Sequence, residues 1–236
     1  MICPRCHSSK VVKNGSIHNG KKKFACQDCG RQFVEKPENQ ISQEKKDFID
    51  KLLLERIPLA GIARVVGVSE RWLQSYVNRK YKTVPRKVDL PEKPKGHLVV
   101  QCDELWSFVG NKKQKQWVWL AIDKGTGSIV GASVGDRSHV GAQGLWDSLP
   151  PDYRECAVFY TDFWKAYELV FPNKRHHAVG KESGRTNKIE RFNCTLRQRV
   201  SRLVRETLSF SKKLENHIGA IWNFIHHYNQ NLLAAA

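Results

Sequence analysis

The chain has 236 residues, 40% of them hydrophobic, which is enough for one substantial core plus one or two small modules and excludes a disordered polymer. Its formal net charge of +17, with a pI near 9.7, exceeds what solubility requires and points to a polyanionic partner. No apolar run approaches the length of a membrane-spanning helix and no apolar leader follows Met1, so a soluble, cytoplasmic protein with no membrane partner is expected.

At the amino terminus Cys3 and Cys6, then Cys26 and Cys29, form C-x2-C-x19-C-x2-C. This spacing predicts a structural zinc site: each pair presents two thiolates from a tight knuckle, and the residues between suffice for a hairpin. Four protein ligands leave no open position for water, so the ion would hold a module together rather than perform chemistry. Two disulfides are the competing reading. They are disfavoured because no secretory signal precedes the first cysteine and Cys102, Cys156 and Cys194 are left over. Positive charge is densest in the amino-terminal part of the chain, with 21 basic against 10 acidic residues up to Lys95 and 19 against 13 afterwards.

Residues 41–81 read as helical, and Ile57 to Val77 has the punctuation of a helix-turn-helix. Pro58 suits a first helical position, and Leu59, Ile62, Ala63 and Val66 make one apolar face. Gly67 suits a left-handed helix end, Val68 plugs the core, and Ser69 caps the next helix. That helix turns Leu73, Tyr76 and Val77 inward. Arg71, Trp72, Gln74, Ser75 and Asn78 face outward, as in a recognition helix whose Arg and Gln read base edges and whose Ser and Asn hold phosphates. An ordinary helical hairpin has the same pattern; the neighbouring cysteine module and the local charge favour DNA binding.

The proline-rich stretch from Tyr81 to His97 reads as a linker. Strand periodicity follows over Leu98–Val109, Trp117–Asp123 and Ser128–Gly135, an antiparallel meander with turns at Gly110-Asn111 and Lys124 to Gly127. A helix from Val140 to Leu149, a strand from Ala157 to Tyr160, a helix opening near Phe163 and a strand at His177 to Val179 complete an α/β domain with a mixed sheet and helices on its faces.

Three acids there occupy places where an acid needs a reason. Asp103 lies inside the first strand, Asp162 closes the buried strand AVFYTD, and Glu190 sits early in a helix whose apolar face is Ile189, Phe192, Leu196, Val200 and Leu203. Carboxylates gathered in one low-dielectric pocket need a compensating cation, and oxygen-only ligands select Mg2+ or Mn2+. Each acid alone also has a bland reading, and Glu104, Asp123 and Asp136 are expected to be solvated or turn-forming.

CPRCHSSKVVKNG, CQDCGRQF, CDELWSF around Asp103, YTDFWKAY around Asp162 and HHAVGKESGRTNKIERFNCTLRQR around Glu190 together resemble, in order and over nearly the whole chain, the transposases of the bacterial insertion sequence one family. The resemblance implies a zinc finger and helix-turn-helix that bind terminal inverted repeats of double-stranded DNA, joined to a ribonuclease-H-like domain with a catalytic triad at Asp103, Asp162 and Glu190. It implies cleavage that frees a 3′-hydroxyl, followed by attack of that hydroxyl on target DNA, with divalent metal held by the triad. A dimer or larger assembly is expected on paired ends, in a nucleoid-associated protein.

The expected division is a zinc-binding module over 1–38, a helix-turn-helix over 39–82, a linker over 83–97, a catalytic domain over 98–206 and an amphipathic helix over 207–236. Lys188, Arg191, Arg197, Arg199 and Arg202 are candidates to hold DNA backbone. His176, His177, Trp106, Trp164 and the stripe Leu214, Ile218, Ile221, Ile225 and Tyr228 read as packing or oligomer contacts, and the terminal NLLAAA as an unassigned tail. The rivals are a DNA-binding regulator with vestigial acids, a structure-specific nuclease on the same fold, and a recombinase using Tyr160, Tyr167 or Tyr228 as nucleophile.

Overall fold

The computed structural model of the chain describes residues 1–18, 20–34, 41–91, 97–203 and 209–234. The boundaries expected at 38 and 206, and residues 92–96 of the expected linker, lie outside them. Two compact units are present, Met1–Asp47 and Phe48–Ala236. The first is built on an antiparallel sheet of β1 (Val11–Ser16), β2 (Lys22–Cys26) and β3 (Gln32–Val34) in that order. Each cysteine pair ends in a tight turn, with the His7 N–H donating to the Cys3 carbonyl and the Gly30 N–H to the Cys26 carbonyl, both at 3.0 Å.

Helix α1 (Gln43–Leu52) buries Ile49 in the second unit. There α2 (Leu59–Val66) and α3 (Glu70–Thr83) form the expected helical pair. Gly67 takes φ +69 at the end of α2, a conformation that a β-carbon would strain, and the Ser69 hydroxyl accepts from the Trp72 N–H at 3.3 Å to open α3. Ile62, Ala63, Val66, Leu73 and Val77 are buried as their spacing predicts, while Tyr76 is only half-buried. Pro58 sits one position earlier than expected, as the cap of α2.

Beyond these helices run β4 (Val99–Phe108), β5 (Lys115–Asp123) and β6 (Ile129–Gly135) as an antiparallel meander. Helices α4 (His139–Ser148) and α5 (Pro151–Cys156) lead to β7 (Val158–Thr161), and the short α6 (Lys165–Glu168) to β8 (His176–Ala178). Both late strands are parallel to β4, giving the order β6-β5-β4-β7-β8. Helices α7 (Asn187–Arg199) and α8 (Leu214–Ala234) follow. This mixed sheet with helices on both faces is ribonuclease-H-like.

Alternation along the strands divides the core. Leu105, Val118, Leu120, Ile122 and Ile129 join α7, α8 and the α1–α3 helices in one cluster. Cys102, Trp119, Ala121 and Val130 join α4 to α6 in the other. Ile221 and Ile225 of the carboxy-terminal stripe are fully buried in the first cluster and Ile218 and Tyr228 pack against it, so the stripe is core from Ile218 onward, while Leu214 is exposed at the start of α8. The tail expectation is corrected: α8 continues through Ala234, and Asn231 meets His227 one turn back at 2.9 Å. Burial of Ile221, Trp222, Phe224 and Ile225 sustains the helix despite its weak helix formers, and no Gly or Pro after Gly219 stops it before Ala234.

Candidate active site

In the amino-terminal unit the four expected cysteines meet, their sulfurs all within 4.8 Å of one another. Cys3 Sγ lies 3.6 Å from Cys29 Sγ and Cys6 Sγ 3.5 Å from Cys26 Sγ. Four sulfurs at about 2.3 Å from a tetrahedral zinc stand about 3.8 Å apart, so the set fits the ion and is far too open for disulfides. The thiols share their protons: the backbone N–H of Cys6 first draws the Cys3 thiol down to about 6, while Cys6, against the pull of the Ser8 backbone N–H, is pushed up to about 12 by the hydrogen bond with Cys29 and burial, the opposed pattern of sulfurs crowded together.

The acidic site grows from strand register. β7 pairs with β4 only through Val99↔Val158, Val100↔Phe159 and Gln101↔Tyr160, so the edge of β4 is open beyond that point. Continuing the register by two residues brings Asp162 level with Asp103. Oxygens of Asp103, Glu104 and Asp162 lie within 4.8 Å of one another. Asp162 Oδ1 accepts from the Trp164 N–H at 3.0 Å, fixing the turn that leaves the sheet. Burial first, and then the neighbouring Glu104, push the Asp103 carboxyl up to about 7. Like charges so placed suit a divalent cation bound by hard oxygens.

Glu104 is a correction, since it is neither solvated nor in a turn. It is 8% exposed in mid-strand, where its Oε1 accepts from Arg137 Nε at 2.9 Å and Nη2 at 2.7 Å, and its Oε2 from the Tyr167 hydroxyl at 2.8 Å. The Arg137 guanidinium is itself held between the Trp117 and Trp164 rings, at 4.4 and 4.1 Å. Period-2 alternation could have flagged the burial; partners 33 and 63 residues away could not be read from spacing. Asp123 does form a turn, accepting from the Gly125 and Thr126 N–H groups, and is also buried against the Tyr153 hydroxyl. Asp136 accepts from Ser138 in an exposed turn.

The carboxylate of Glu190 is not among those that gather within 4.8 Å; its Oε1 accepts from the Thr186 hydroxyl at 2.8 Å. Its helix is nevertheless docked at the site. Gln101 Oε1 accepts the N–H groups of Lys188 and Ile189 at 3.0 and 3.1 Å, satisfying two open donors at the start of α7. One turn after Glu190, Asn193 Nδ2 donates to Asp103 Oδ2 at 2.7 Å, and its own Oδ1 is buried without a hydrogen-bond partner. Gln101 and Asn193 were missed from sequence. The i, i+3 spacing of Asn193 from Glu190 was the available signal.

Of the expected DNA contacts, Arg71, Gln74 and Ser75 are exposed on α3, and Trp72 is half-buried and stacked on Tyr76 at 5.3 Å. Ser69 is the cap of that helix, and Asn78 Oδ1 accepts from Gln74 and from Asn216 of α8. On α7, Arg191 is exposed, Arg197 is half-buried, and Lys188 Nζ reaches the Lys124 carbonyl. Arg199 is engaged with the Leu54 carbonyl and Glu55. His176 is a packed strand histidine bonded to the Thr161 hydroxyl at 2.8 Å, and His177 stacks on Tyr160. Tyr167 is fully buried, with burial holding its hydroxyl well above the usual range, which suits structure and not nucleophilic attack.

A ribonuclease-H-like sheet with carboxylates at its open central edge, following a four-cysteine ribbon and a helix-turn-helix, defines a DNA-processing protein of the transposase class. Residues 97–230 match the family described as IS1 transposase and residues 1–30 the InsA N-terminal domain zinc ribbon. The chain belongs to the IS1 transposase family. Among its relatives, insertion element iso-IS1n protein InsB of Shigella dysenteriae is 37% identical over 54% of this chain and 94% of its own length. Insertion element IS1 4 protein InsB of Escherichia coli (strain K12) is 32% identical over 67% of this chain and 94% of its own. A solved structure titled Mos1 transposase paired-end complex with left transposon end overlaps 86% of this chain and 80% of its own at 10% identity; its TM-score of 0.24 is too low to carry an argument. The protein is a DNA transposase, and no described helix is long and apolar enough to cross a membrane.

Proposed function

We propose that this transposase is of the Asp-Asp-Glu type, with Asp103, Asp162 and Glu190 as its metal-binding carboxylates and Mg2+ or Mn2+ as the ion. The observation that carries this reading is the levelling of Asp103 and Asp162 at the open edge of β4, under a helix whose first turn bears Glu190. Divalent ions held by these carboxylates would supply Lewis-acid stabilisation to the oxygens of an in-line phosphoryl displacement. Asn193 holds the Asp103 carboxylate in place, and the Trp164 N–H does the same for Asp162. Glu190 joins the pair by exchanging its bond to Thr186 for the shared site, a side-chain rotation that leaves α7 docked on Gln101. Glu104 is within reach, but both its oxygens are engaged by Arg137 and Tyr167, so its role is to hold Arg137 beside the site.

In this reading the ribbon and the exposed face of α3 bind the element's terminal inverted repeats. Strand cleavage frees a 3′-hydroxyl and the same site transfers it to target DNA, in a cytoplasmic, nucleoid-associated assembly of at least two chains on paired ends. The test compares wild type with Glu190→Gln on duplexes carrying the element's ends, scoring binding and Mg2+-dependent strand transfer together. Retained binding with no transfer supports the triad. Transfer at the wild-type rate removes Glu190 from it, and cleavage by wild type without joining would make the protein a nuclease on this fold.

A further inference from the structure

A basic site apart from the carboxylates lies in the cleft between α3, the turn at Ser201–Leu203 and the segment entering α8. It encloses about 530 Å3 and is lined by Gln74 and Asn78 of α3 together with Arg202, Lys212, Lys213 and Asn216. No acidic side chain lines it among the described residues. Lys212 and Lys213 are exposed, whereas Arg202 Nη2 is buried with no hydrogen-bond partner. That nitrogen is turned inward, so Arg202 contributes to the cleft through the charge of its partly buried guanidinium, while the exposed Lys212 and Lys213 ammonium groups are free to meet an anion directly. The two neutral amides on α3 add directed hydrogen bonding: Gln74 Nε2 donates to Asn78 Oδ1 at 2.8 Å, and Asn216 Nδ2 to the same oxygen at 2.9 Å.

Position on α3 selects the anion. Arg71 and Ser75 are exposed on the same helix, whereas Gln74 and Asn78 border the cleft. A duplex whose major groove, about 12 Å wide, receives α3 must carry one flanking backbone alongside that helix. We propose that this cleft receives one or two phosphodiesters of the duplex read by α3, so that Arg202, Lys212 and Lys213 clamp the backbone beside the recognition helix. This rests on α3 being the helix that reads the element's end. The clamp joins the reading helix to the segment that follows α7, and so fixes the register of bound DNA against the body that carries the carboxylates.

The experiment is a cycle between protein and DNA. Single neutral methylphosphonates are scanned along a duplex carrying the element's end, and binding is measured for wild type and for the Lys212→Gln/Lys213→Gln variant, whose thermal transition is checked first. Arg202 is left intact because its burial makes a folding defect the expected result of removing it. One or two adjacent positions should weaken wild type by roughly tenfold and have little further effect on the variant. The slope of log affinity against log salt should also fall by about one to two in the variant. Equal losses in both proteins at every position overturn the clamp while leaving α3 as the reading helix. A wild type that binds the element's end no better than an unrelated duplex overturns the reading of α3, and the clamp with it.

Discussion

Asn193 is the residue on which the acidic site turns. A carboxylate that must present an oxygen to a cation benefits from a fixed neighbour, and loss of such a partner typically lowers metal affinity or activity by 10- to 100-fold, roughly. Asn193→Ala is therefore expected to weaken Mn2+ binding, read by electron paramagnetic resonance of the free ion, and to slow strand cleavage by about tenfold or more, with DNA binding unchanged. An equal fall in DNA binding would make Asn193 a packing residue. Glu104→Ala removes the partner of both Arg137 and the buried Tyr167 hydroxyl. With Arg137 partly exposed, the loss should be about 2 to 3 kcal/mol, measured by denaturant unfolding. His217 supplies a pH dependence away from the carboxylates. It is fully buried with neither ring nitrogen partnered, and burial, then Arg202, bring its pKa down to about 4. The folded state binds its proton less readily than the unfolded state, so stability is complete above the ordinary value near 6.5 and declines as pH falls from there through 4. Between pH 7 and pH 5 wild type should lose about 2 kcal/mol that a His217→Leu variant keeps, comparing thermal unfolding of the two.

At the scale of elements, α3 and α8 are held by close backbone approach. A β-carbon on Gly219 would run into the Cβ, Cα and carbonyl oxygen of Tyr81, and backbone atoms cannot swing aside as a side-chain tip can. Gly219→Ala gains a few tenths to about 1 kcal/mol of helix propensity, but overpacking should outweigh it, leaving a net destabilisation of about 1 to 2 kcal/mol in denaturant unfolding. A stabilised variant would mean that the two helices separate without penalty. The helix-turn-helix was legible because its signals are local: Gly67 after Val66, Ser69 three residues before the N–H it accepts, and apolar residues at helical spacing. That its outward Asn78 would be bonded to Asn216, 138 residues on, was not legible, because side chains at such separation are brought together only by packing of whole helices.

For the molecule as a whole, the separate compactness of Met1–Asp47 predicts separable stability. Among the described residues of the first unit, the buried apolar side chains are Phe24, Cys3 and Cys26, so an ion held by the four cysteines would supply much of its folding free energy. Adding a chelator should abolish order in the ribbon, seen as rapid amide hydrogen exchange over residues 1–34, while the Phe48–Ala236 unit keeps its thermal transition. Simultaneous loss of both would show that the units fold as one.

The sequence alone determined what depends on short spacing and composition: the cysteine ribbon, the helical pair, the order of strands and helices, and the acids at Asp103 and Asp162, each at a strand position where an acid is out of place. Charge balance pointed to a polyanionic partner, in keeping with membership of a transposase family. Tertiary structure decided the rest. It levelled Asp103 with Asp162 through the parallel register of β4 and β7, turned Glu104 from an expected surface acid into a buried partner of Arg137 and Tyr167, and put Asn193 on Asp103. Glu190 marks the boundary from the other side: its helix, its face and its bond to Thr186, four residues back, are all local, and only the docking of α7 on Gln101 decides where that carboxylate stands relative to Asp103 and Asp162. The physical reason is common to all these cases. Backbone conformation follows from neighbours within a turn or a strand, whereas a charge acquires its energy, and therefore its role, from whatever distant groups share its low-dielectric surroundings.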